Sequence, residues 1–165
     1  MKYLFLFLFF IDSVFGNQLA GIYQSQSFLL FKSAYVEFFE FNGKYYAYGI
    51  ENTDHSPPKK DSKNPNPYLR NRSDKGVVFL YGLVHTSADN YKYGKAYNFY
   101  DGRTYHIKIH QRKNGDLDFR SSIDSTGYIG KTFLWKKLTQ DEIEKAGIKR
   151  PNFHEVLNTI SELDL

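Results

Sequence analysis

Histidines, paired acids and clustered cations are the residues here that could do chemistry. His106 and His110 lie four apart in an alternating stretch, so a strand would set both on one face. At about 3.3 Å per residue they would stand roughly 13 Å apart. Two ligands of one zinc must each lie about 2 Å from it. They therefore read as solvated surface histidines, and no metal is assigned. Glu37 and Glu40 fall on opposite faces of a strand, which rules them out as an acid/base pair. Asp116 and Asp118 follow an Asn-Gly turn on a polar face. No G-x-S-x-G, H-E-x-x-H or phosphate-binding glycine loop occurs. With no cysteine, thiol catalysis, disulfides and Cys-ligated zinc are excluded. The balance is against an enzyme, and no cofactor is implied.

The cations are more informative. The polar stretch 53–76 (TDHSPPKKDSKNPNPYLRNRSDKG) holds most of the prolines. Within it, from Lys59 to Lys75, Lys59, Lys60, Lys63, Arg70, Arg72 and Lys75 stand against Asp61 and Asp74, a surplus equal to the whole chain's net charge of +4. Elsewhere Lys and Arg alternate with Asp and Glu, so there is no nucleic-acid-binding stripe. A loop of about 24 residues without structure of its own is unusual in a compact domain and suits a binding flap. Arg70 and Arg72 are suited to an anionic head group. They are equally suited to a self-tied loop in which Asp61 pairs with one arginine.

The elements that must hold this loop are strands. Phe (15) and Tyr (14) are abundant and favour sheets. A first strand begins at Gly21-Ile22-Tyr23 and continues toward Phe31. Residues 35–41 and 44–50 flank Asn42-Gly43, the favoured type I′ hairpin pair. One hairpin face carries Val36, Phe38, Glu40, Tyr45, Ala47 and Gly49; the other carries Phe39, Tyr46 and Tyr48. The first is expected inside, because Ala47 and Gly49 leave room in a closed barrel. Residues 77–85, 91–99, 104–111, 117–123 and 128–137 follow as strands. Tyr105, Ile107 and Ile109 alternate with His106, Lys108 and His110, and the apolar set is expected inside. Gly94, Ala96 and Asn98 join the inner face if the turn at Asp101-Gly102 is tight. About 8–10 antiparallel strands with short turns imply an all-β, up-and-down barrel or sandwich. Thr139-Gln140-Asp141-Glu142 is a capping box, with Gly147 as stop. Phe153, Val156, Leu157 and Ile160 then form one helical stripe. Two short helices over 139–165 should pack on the wall of a domain spanning 17–138.

The opening residues, MKYLFLFLFFIDSVFG, have a charged Lys2, a short apolar core and a small residue at Gly16. They read as a cleaved signal peptide over 1–16, and the apolar run is short for a bilayer span. The mature chain is expected outside the cytoplasm, secreted or periplasmic, monomeric and without an integral membrane span.

Several stretches resemble an exported bacterial family known only as a domain of unknown function. They are Asp61-x-x-Asn64-Pro65-x-x-x-Leu69-Arg70-x-Arg72, the following Gly76 to Leu83 strand, Gly94 to Tyr105, and Gly130-Lys131-Thr132-x-x-Trp135. At Asn98-Phe99 the family prefers Asp-Pro. The resemblance implies a lipocalin-like (calycin) barrel. Gly21-Ile22-Tyr23 is similar to the lipocalin G-x-W, with tyrosine for tryptophan. Gly21, Tyr23 and Trp135 would form the barrel base, with Arg120, Lys136 or Lys137 as the cation packed on the aromatic. On this reading Phe38, Tyr45, Tyr105, Ile107, Ile109 and Arg120 line a ligand site, and Arg70 and Arg72 meet the head group. The expected partner is a small hydrophobic or amphipathic molecule, fatty-acid-like with an anionic head. The alternative is an envelope or host-surface interaction protein with a filled barrel, using Tyr46 and Tyr48 as the contact. A barrel-based isomerase or hydrolase is a third reading.

Overall fold

The computed structural model describes residues 19–28 and 32–163. The expected signal peptide over 1–16 lies outside the described residues. Eight strands, each antiparallel to its neighbours, close into a barrel in simple sequence order. They are β1 (Gly21–Gln24), β2 (Ala34–Phe41), β3 (Lys44–Asn52), β4 (Val78–Ser87), β5 (Asn90–Asn98), β6 (Arg103–Gln111), β7 (Leu117–Ser122) and β8 (Gly130–Lys137). Two short helices follow, α1 (Gln140–Lys145) and α2 (Phe153–Asn158).

The β2–β3 hairpin turns at Asn42-Gly43, both with positive φ (51° and 74°), as a type I′ turn requires. That turn fixes the register, with Phe38 opposite Ala47 and Phe39 opposite Tyr46. Val36, Phe38, Tyr45 and Ala47 point into the barrel core. Phe39, Tyr46 and Tyr48 point outward, yet they are buried. The C-terminal helices cover them, bringing Ile143 and Val156 onto Ile22, Val78 and Tyr81. Both hairpin faces are apolar because both are buried. Tyr46 (7% exposed) and Tyr48 (1%) are thus withdrawn from any partner surface.

Differences from expectation are local. β1 ends at Gln24 rather than running toward Phe31. The β5–β6 connection is four residues long, with Asn98 opposite Arg103. The shift is even, so Gly94 and Ala96 still oppose the inward-facing Ile107 and Tyr105. β4 is bulged: Ala47 pairs with Leu80 and Tyr48 with Val78. The extra residue lets Phe79 and Leu80 both reach the interior core.

Stretch 53–76 is not structureless. Lys60 and Ser73 form a bridge, and Pro67–Leu69 is a 3-10 turn capped by Asn66. Its centre is Asp61, which is fully buried. The Asp61 carboxylate accepts from Asn64 Nδ2 (2.6 Å), Arg72 Nε (3.0 Å) and the Tyr97 hydroxyl (2.7 Å). A buried carboxylate is stable only when so paired. The loop is anchored to the barrel through Tyr97 and to the C-terminus through Arg72 and Glu162 (2.6 Å). It also packs on the β5–β6 turn. A Cβ on Gly102 (φ +72°) would meet the Lys63 carbonyl oxygen at 2.2 Å, so that position admits only glycine.

Candidate functional site

The barrel interior has two halves. In the lower half, Tyr23, Phe38, Tyr45, Leu83, Tyr91, Ile109 and Leu117 pack without exposure beyond 8%. Tyr23 meets Phe38 edge-on at 5.4 Å, and Tyr45 meets Tyr91 at 5.3 Å, geometries worth about 0.5–1.5 kcal/mol each beyond burial. The Tyr23 hydroxyl donates to the Leu19 carbonyl at 2.9 Å and accepts from Gln111 Nε2 at 3.4 Å. Lys137 Nζ lies 5.7 Å from the Tyr23 ring centre. Of the three basic candidates for packing on the base aromatic, it is Lys137 that sits there. Its pKa is lowered by burial. Burial also pushes the Tyr23 hydroxyl well up and Tyr91 up to about 12. Gly21 (φ +137°) lies directly under Lys137, whose Cε would stand 3.4 Å from a Cβ there.

The upper half is a cavity of about 930 Å³, within the usual range for small-molecule sites. Trp135 and Phe119 form its floor, stacked at 4.2 Å and 2°. Phe79, Tyr105, Ile107 and Phe133 supply the apolar wall. The Tyr105 hydroxyl donates to Asp101 at 2.6 Å; that bond and burial raise its pKa. The mouth lies where the β1–β2, β3–β4, β5–β6 and β7–β8 connections meet. Six lysines line it (Lys32, Lys59, Lys60, Lys63, Lys75 and Lys131) against Asp74 and Asp101. Lys32 pairs with Asp54 (2.6 Å) and Lys75 with Asp74 (3.2 Å). Lys131 Nζ sits 3.5 Å from the Phe28 ring centre and 5.7 Å from that of Phe133. Among the described residues this cation is held by aromatic faces and not by a carboxylate.

The structure therefore brings together only part of the expected ligand set. Tyr105, Ile107 and Trp135 line the cavity; Trp135 is its floor and separates it from the base at Tyr23. Phe38, Tyr45 and Ile109 face inward but sit in the packed lower half. Arg70 and Arg72 do not line the cavity. Arg70 Nε donates to the Asn64 carbonyl at 2.8 Å, and Arg72 is held by Asp61 and Glu162. Arg120 lies on the wall beside the β7–β8 connection and donates to the Gly127 (2.6 Å) and Tyr128 (3.1 Å) carbonyls. Sequence reasoning missed Phe79, Phe119, Phe133 and Lys131. Alternation along β7 and β8 from Trp135 would have found Phe119 and Phe133. The bulge that turns Phe79 inward has no sequence signal.

Among the described residues no cluster of three or more His, Asp or Glu could hold a metal, and no helix is long and apolar enough to cross a membrane.

Residues 21–137 match the bacterial family DUF2147, "Uncharacterized protein conserved in bacteria". No curated protein matches the chain significantly. Among solved structures, protein HP1028 from the human pathogen Helicobacter pylori, described as belonging to the lipocalin family, is 60% identical. The two superpose with a TM-score of 0.85 over 87% of this chain and 98% of that one. Sequence match, eight-stranded closure and an aromatic base under a one-ended cavity agree: this chain belongs to the DUF2147 family and has the lipocalin fold.

Proposed function

We propose that this chain is an extracytoplasmic binding protein for a small amphipathic molecule with an apolar tail and an anionic head, of the fatty-acid type. The observation that carries the reading is the division of one cavity into two chemistries. Its depth is lined by Phe79, Ile107, Phe119, Phe133 and Trp135, while its mouth carries six lysines against two carboxylates. Burying a tail against the aromatic wall yields about 25 cal/mol per Å² of apolar surface. The head then stays at the mouth, where ammonium groups are partly solvated and an anion is not stranded. A filled-barrel interaction protein fits less well, because the upper half is hollow and Tyr46 and Tyr48 lie under the C-terminal helices. The hydrolase or isomerase reading gains no support from the wall, where the Tyr105 and Tyr97 hydroxyls are already bonded to Asp101 and Asp61. The extracytoplasmic setting rests on the signal-like residues 1–16.

The test compares a long-chain fatty acid with the alcohol of equal length in thermal melts of residues 17–165. Both should raise the Tm, the acid more. Lys131→Glu should remove the acid's advantage and leave the alcohol's effect. Equal stabilisation of native protein by acid and alcohol would overturn the anionic-head assignment, and stabilisation by neither would overturn the reading.

A further inference from the structure

The β7–β8 connection, residues 123–129, forms a tight knuckle at the barrel mouth. It presents Ile123 (70% exposed), Tyr128 (88%) and Ile129 (60%) to solvent. Large apolar residues clustered on a loop tip commonly mark an interaction site. Several of the knuckle's polar groups are tied within the protein. The Asp124 carboxylate accepts from the Tyr128 and Ile129 amides (2.9 and 2.6 Å) and from the Thr126 hydroxyl. Arg120 donates to the Gly127 and Tyr128 carbonyls, and Lys108 to the Thr126 carbonyl. The Ile123 amide donates to the Ile129 carbonyl at 2.9 Å, and the Gly127 amide to the Asp124 carbonyl at 3.2 Å. These bonds partner the amides of Ile123, Gly127, Tyr128 and Ile129 and the carbonyls of Asp124 and of Thr126 through Ile129, which lowers the main barrier to inserting a loop into lipid.

The surroundings choose the occupant. Ile123 and Ile129 line the mouth together with the six lysines. Lys59 and Lys63 form no side-chain hydrogen bond or ion pair among the described residues, and Lys131 rests on Phe28. An apolar tip with an interfacial tyrosine, set beside unneutralised lysines, matches a bilayer whose headgroups are negative. Three side chains are far fewer than the 20–30 residues a side of a stable protein interface.

We propose that the barrel mouth docks on an anionic phospholipid surface, with Ile123, Tyr128 and Ile129 entering the headgroup–acyl boundary and Lys59, Lys63 and Lys131 contacting lipid phosphates. Docking places the cavity opening against the membrane, where amphiphiles reside. The proposal goes beyond ligand binding and stands without it.

The test is co-sedimentation of residues 17–165, which keep every described residue, with phosphatidylglycerol vesicles and with pure phosphatidylcholine vesicles. Binding should occur with the first, fall with added salt and be weak with the second. Tyr128→Asp, at a fully solvated position outside the cavity lining, should lower vesicle binding about tenfold or more while the melt and fatty-acid binding stay unchanged. Lys59→Glu with Lys63→Glu should lower it similarly. Three results would each overturn the proposal: no binding to phosphatidylglycerol vesicles, equal binding by Tyr128→Asp, or a native dimer in solution that Tyr128→Asp converts to monomer.

Discussion

Of the two roles open to Arg72 in the sequence, head-group contact or pairing with Asp61, the pairing is the one observed, with Nε 3.0 Å from the Asp61 carboxylate. The cationic character of stretch 53–76 is plain in the sequence, and it does reach the cavity mouth. It reaches it through Lys59, Lys60, Lys63 and Lys75, while both arginines hold the loop. Nothing in the residue spacing distinguishes these, because an irregular loop has no period to assign faces. The deciding fact is the complete burial of Asp61, which demands a charged partner. Arg72→Ala should therefore destabilise the fold by about 3 kcal/mol by leaving that carboxylate short of its cation. Arg70→Ala loses one bond at an exposed position and should cost about 1 kcal/mol. Urea melts of the two variants would measure the difference, and equal losses would contradict the assignment. Tyr97 donates to the same carboxylate; burial first, and then that bond, push its pKa well up. A raised tyrosine contributes stability fully below its unfolded pKa near 10 and loses it as pH rises beyond that. Between about pH 10 and 12 the wild type should lose stability faster than Tyr97→Phe, measured by melts at each pH.

At the scale of elements, most of the barrel was legible. Asn42-Gly43 fixed a hairpin, and the small residues Ala47 and Gly49 pointed to its inner face. The alternation of Tyr105, Ile107 and Ile109 with His106, Lys108 and His110 matches the observed β6 orientation. Bulges were not legible, since an extra residue in β4 leaves the apolar run Val77–Leu80 unchanged in composition. The capping box at Thr139 and Glu142 is present, with Glu142 accepting from the Thr139 amide at 2.9 Å. Glu142 also pairs with Lys136 at 2.5 Å. The Lys136 bond first, then the amide, pull the Glu142 pKa down to about 2. A depressed carboxylate stabilises the fold above its unfolded pKa and loses that contribution as pH falls through its folded value. Glu142→Gln should thus melt below wild type at pH 6, with the gap closing between about pH 4 and pH 2. A gap that stays constant over this range would show that the carboxylate's charge is not what fastens α1.

For the whole molecule, the chain separates a packed part from a hollow one. The lower barrel, the Asp61 loop and the helices over β1–β4 are packed, and the upper barrel is left hollow beneath a lysine-lined mouth. That division could not be read from the sequence, because inward aromatics such as Phe38 and Phe133 are alike in type and differ only in height along the barrel axis. The central claim, that the hollow half binds an amphipathic molecule, meets its most direct test at Trp135, the sole tryptophan and part of the cavity floor. Residues 17–165 should be titrated with a long-chain fatty acid while tryptophan emission is followed. The account predicts a saturable change in emission with one acid per chain, because the tail comes to rest against the Trp135–Phe119 stack. Emission that stays unchanged up to the solubility limit of the acid would contradict it.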